Sequence, residues 1–145
     1  MNKKGYWLVV LFFVFIGCSN SVDINNEEAV MKDIQGAWIG CQNIGKVYRH
    51  IKLSVANNMF EGWIQISDSK NEPIWVSVAD EKGFISLSSL IDDTEQKIKY
   101  RKFAFTCSGR CCGDKSFSVK TLTELIAYQE GKGLMVDRTI KMGKN

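Results

Sequence analysis

The chain has 145 residues, of which 19 are lysine or arginine and 16 aspartate or glutamate, for a formal charge of +3. That length suits one domain with one modest core. Lys3 and Lys4 supply two of the positive charges; beyond them 17 basic side chains face 16 acidic ones, which gives no case for nucleic-acid binding.

Met1, Asn2, Lys3 and Lys4 make a short cationic start, and Trp7–Gly17 follows with no charged or strongly polar side chain. That apolar run is too short for a membrane span, which needs about 20 residues. A charged start, an apolar core of this length and a small residue at its end describe a secretory signal. The run closes on Phe15, Ile16, Gly17 and Cys18. This resembles a lipobox, in which a small residue precedes a cysteine, although Phe15 stands where leucine is commonest. The resemblance implies cleavage after Gly17, a diacylglycerol on the Cys18 sulfur and acylation of the new amino group. An uncleaved N-terminal anchor is the alternative. Two or three acyl chains on one residue anchor stably, where a single chain is marginal. Ser19, rather than aspartate, follows the cysteine, which points to the outer membrane. The expected organisation is a signal peptide over residues 1–17, a lipid-anchored polar tether over 18–33 and a β-domain over 34–145. Asp23, Glu27 and Glu28 read as solvated tether residues, with a short helical turn within Glu27 to Ile34.

From there the pattern is β. Val47, Ile51, Leu53 and Val55 fall on one face of a strand, and Tyr48, His50, Lys52 and Ser54 on the other. Asn57 and Asn58 make a turn into a second strand, Met59 to Ile66. Further strands are expected over Ile74–Val78, Phe84–Leu90, Lys97–Thr106, Phe117–Thr121, Glu124–Gln129 and Leu134–Met142, with polar turns between them. No helical pattern longer than two turns appears after residue 18. Many short strands joined by tight turns predict an all-β antiparallel meander of about eight strands, closed as a barrel or stacked as a sandwich. Closure would remove the exposed edges.

Two segments resemble the lipocalin-like lipoproteins of Bacteroides-like bacteria. Gly36, Ala37 and Trp38 form a Gly-x-Trp that opens the first strand. Phe117–Tyr128 is followed by a hairpin ending in Val136, Asp137 and Arg138. The resemblance implies a barrel in which Trp38 sits at the closed end and Arg138 packs across its indole. A cation over an indole face is worth about 0.5–2 kcal/mol. The fold hosts many functions and does not name a ligand.

With Cys18 assigned to lipid, Cys41, Cys107, Cys111 and Cys112 remain, and an exported compartment permits disulfides. Cys111 and Cys112 are adjacent, so Cys41 is expected to join one of them and Cys107 the other. The rival is a zinc site of four thiolates, but the spacing is not a recognised zinc pattern.

For chemistry the chain offers little. His50 is the only histidine, and no nucleophile motif, zinc-protease motif or phosphate loop is present. Asp92 and Asp93 are adjacent on a turn and make no natural acid–base pair. Lys97, Lys99, Arg101 and Lys102 form a basic run in which Lys97, Lys99 and Arg101 share a strand face, read as solvated rather than as a site for an anionic group. Trp63, Trp75, Tyr48 and Tyr100 are aromatics with polar tips, suited to lining a ligand pocket. The expectation is a non-enzymatic, monomeric, outer-membrane-tethered barrel needing no cofactor or metal. It would bind a small apolar or amphipathic ligand; the alternative is a protein-interaction module such as an inhibitor or immunity lipoprotein. The first predicts a lumen, the second a filled core.

Overall fold

The computed structural model describes residues 21–107 and 122–145. The elements are α1 (Glu27–Asp33), β1 (Gly36–Asn43), β2 (Tyr48–Ala56), β3 (Met59–Ser67), β4 (Glu81–Asp93), β5 (Ile98–Cys107), α2 (Leu122–Leu125), β6 (Ile126–Gln129), β7 (Gly133–Val136), β8 (Ile140–Lys141) and β9 (Gly143–Lys144). Among the described residues the strands form one antiparallel sheet in the order β8-β7-β6-β5-β4-β3-β2-β1-β9. The terminal segment pairs with β7 through Ile140 and Lys141, and with β1 through Gly143 and Lys144. One short stretch thus bridges both edges of the meander, and the sheet becomes the expected all-β barrel.

Alternation decides which side chains enter. The register pairs Trp38 with Leu53, Gly40 with Ile51, Leu53 with Gly62 and Val55 with Phe60, so these share the inner face. Ile85 and Leu87 of β4 and Phe103 and Phe105 of β5 continue that face. Phe60 meets Phe105 edge-on at 4.9 Å between ring centroids.

α1 closes one end. Asn26 caps it, its side chain accepting from the Ala29 N–H, and Glu27 and Glu28 suit the positive first turn. Ile24, Val30 and Ile34 are all fully buried. Much of the expected tether therefore belongs to the barrel's packing, because these apolar side chains fill its open bottom. Trp38 does lie at this closed end, where its Nε1 donates to the Ile34 carbonyl at 2.9 Å. The cation over its ring is not Arg138 but Lys144, at 5.3 Å, which sits opposite Trp38 in register and donates to the Asp33 carbonyl. Arg138 is elsewhere because β7 ends at Val136. Asp137 and Arg138 both adopt positive φ, 49° and 61°, and turn the chain into β8.

Other boundaries also differ from expectation. Residues 74–78 form no strand, and 122–125 make a helical turn before β6. The expected strand at 117–121 lies outside the described residues. Arg101 is not on a solvated face; it is buried on the inner side, in line with Phe103 and Phe105.

Tyr128, on β6, donates to Asp33 Oδ2 at 2.8 Å and ties the barrel wall to α1. Burial, then the hydrogen bond and the negative charge of Asp33, push its hydroxyl well above the usual tyrosine range. Unfolded tyrosine ionises near about pH 10. The fold holds the protonated form, so this contribution is intact below that pH and is lost as pH rises towards the folded value. Urea midpoints should therefore fall on the alkaline side of about pH 10, and fall less in Tyr128→Phe.

Candidate functional site

The barrel interior is occupied. Leu122 and Leu125 of α2 enter from the end opposite α1 and are buried with Phe60, Ile85, Leu134 and Met142 in one core. Glycines mark where walls and plugs touch. A Cβ on Gly62 would overlap Leu122, and one on Gly40 would come within 3.0 Å of Val136 and 3.2 Å of Met142. Above this core, polar groups draw the rim together. Arg49 donates to Gln42 Oε1 at 2.8 Å, and Gln42 Nε2 donates to Asp137 Oδ2 at 2.8 Å.

The expected ligand-lining aromatics do not gather in this interior. Tyr48 and Trp63 belong to the outer face of β2 and β3, as the register requires. Trp63 is nearly buried, with the Lys52 ammonium 4.8 Å from its ring. Trp75 is half-buried in the β3–β4 connection, where its Nε1 donates to Glu72. Tyr100 is on the outer face of β5 and lines a cleft.

The β3–β4 connection folds back along the outer wall. Its Ser69 carbonyl lies 2.8 Å from His50 Nε2, the Asp80 N–H reaches the Gly62 carbonyl, and Asp80 Oδ2 accepts from the Ile64 N–H. His50 is 1% exposed. The sole histidine is thus neither a lumen nor a surface residue; it helps hold a loop. That loop still exposes Ile74, Val76 and Val78, at 94%, 61% and 71%. Among the described residues this stretch is the clearest run of exposed apolar side chains.

The cleft has a volume of about 340 Å³ and lies on the outer wall between β5, α2 and the β7–β8 turn. Its polar lining is Tyr100, Lys102, Glu124, Asp137 and Arg138, set among Phe103, Leu125, Ile126 and Ala127. Arg138 donates to the Tyr100 hydroxyl at 3.1 Å and stands 5.4 Å from that ring's centroid. The sequence marked Tyr100 as ligand-lining and Arg138 as the cation over Trp38, and it did not mark Glu124 or Asp137. No local signal joins two residues 38 positions apart through a left-handed turn.

Cys41 is half-buried on the outer face of β1, directly across from His50, and carries a free thiol. The cysteines expected to bridge it, Cys111 and Cys112, are not among the described residues. The Cys107 side chain and the lipid-site Cys18 also lie outside them. Among the described residues, no three histidine, cysteine or carboxylate side chains gather as a metal site, and no helix is long and apolar enough to cross a membrane. Compared with protein-family models, curated proteins and solved structures, the chain matches none.

Proposed function

We propose that this chain is a lipoprotein tethered to the outer membrane through Cys18, and that its barrel is a protein-interaction module of the inhibitor or immunity kind rather than an enzyme. The observation that carries this reading is the exposed apolar run Ile74, Val76 and Val78 in a connection that pairs with no strand among the described residues. Contiguous exposed apolar side chains of this kind mark protein–protein interaction sites. The filled interior supports the same reading, because a lumenal ligand would have to displace Leu122 and Leu125.

Anchoring geometry fits as well. Only Ser19, Asn20 and Ser21 separate Cys18 from Val22, which is half-buried ahead of the fully buried Ile24. Those residues span about 10 Å at full stretch. The α1 end would sit against the bilayer. β3 runs away from that end, so the 68–80 connection begins on the side facing a partner.

A photo-cross-linking residue at position 76 of the full chain, in its own envelope, tests this. One discrete protein adduct is expected, lost when Ile74→Asp and Val78→Asp are added. Adducts to lipid alone, or an adduct that persists in that variant, would count against the reading. A second reading is favoured by the cleft at Tyr100 and Arg138. It keeps the small amphipathic ligand but places it on the outer wall.

A further inference from the structure

We infer that the outer-wall cleft binds a small carboxylate carrying a flat apolar body, an inference that rests on the second reading above. The cleft's 340 Å³ lies near the lower end of ligand sites, enough for a single-ring molecule. Its charges are unevenly committed. Asp137 is held by Gln42, with Arg49 at 4.0 Å. Among the described residues, no carboxylate pairs with Lys102 or Arg138. Arg138 spends one N–H on the Tyr100 hydroxyl and keeps the rest of its planar fork for a guest. Such a fork matches a carboxylate with two parallel hydrogen bonds. Lys102 adds a second cation on the same cleft. Glu124, which also lines the cleft, disfavours a bare polyanion and suits a guest whose single negative charge sits at one end.

Backbone strain is the second observation. Arg138 occupies a left-handed conformation, φ 61°, directly after Asp137 at φ 49°. Turns of this kind favour Asn-Gly, and a bulky side chain there is disfavoured. Strain of this sort gathers at ligand sites. Here it places a guanidinium over Tyr100 where glycine would satisfy the turn better.

The test uses the full chain in detergent micelles, labelled with ¹⁵N and titrated with benzoate and with benzamide, its neutral counterpart. Benzoate should shift the Tyr100 and Ala127 amides saturably, and benzamide should bind about tenfold more weakly or less, as the loss of a charge-assisted contact implies. Arg138→Gly removes the fork while suiting the turn, so it should keep a folded, dispersed spectrum and lose benzoate affinity by about tenfold or more. Lys102→Gln should weaken benzoate as well. Equal binding of both probes would overturn the carboxylate inference and leave an apolar site. Saturable shifts from neither probe at millimolar concentration would overturn both the inference and the second reading.

Discussion

Gly62→Ala is expected to destabilise the barrel by about 1–3 kcal/mol, the usual result of overpacking a close-packed core. Leu122→Ala should cost about 2–5 kcal/mol, through lost burial and the cavity left behind. The informative result is the double variant, expected to lose clearly less than the two single losses added. Gly62 faces inward on β3, where a methyl would overlap the buried Leu122 side chain. Leu122 is 0% exposed among core side chains, so it cannot swing aside without disturbing them. Trimming Leu122 makes the space that the new methyl fills. Coupled neighbours deviate from additivity by about 0.5–3 kcal/mol, whereas independent sites add. Urea midpoints of the four proteins decide the matter. Strict additivity would mean that α2 does not plug the interior, and a lumenal site would return to consideration.

How far this could be read from sequence depends on what each residue reports. The core face of β2 was legible because its two faces meet different surroundings: Ile51, Leu53 and Val55 meet the core, while Lys52 and Ser54 do not. Ile74–Val78 shows the limit of the same signal. Its alternation resembles a strand, but alternation encodes a face and not a partner. β3 pairs instead with Glu81–Phe84, and the apolar run is left in the connection. Arg101 was misplaced although the clue was present. It shares its period-two face with Phe103 and Phe105, and two aromatics outweigh the basic neighbours that suggested solvent. His50 lay beyond reach, since the loop that buries it closes through a backbone carbonyl with no side-chain signature. The rim contacts of Gln42, Arg49 and Asp137 were equally hidden, because these residues come from opposite ends of the domain.

Arg101 carries the other large effect. Arg101→Met keeps an apolar stem and removes the guanidinium, and should cost about 2–4 kcal/mol, the scale of lost hydrogen bonds to a buried charge. Its Nε donates to the Ile24 carbonyl at 2.9 Å, with longer contacts from the guanidinium to the carbonyls of Asn25 and Ser88. The ion pair with Glu27, at 3.3 Å, contributes little, since the Glu27 side chain is 68% exposed and water screens it. Glu27→Gln should therefore change stability by under about 0.5 kcal/mol. Equal losses in the two variants, compared by urea unfolding, would reassign the effect to the ion pair. The main-chain bond to Ile24 is what holds that side chain in the barrel's mouth. Without it, the Val22–Asn26 turn should open first, and limited proteolysis should cut there before the strands. In a chain anchored at Cys18, that opening would also lengthen the link to the bilayer. One buried arginine would then set both the closure of the barrel and the height at which its outer wall is presented.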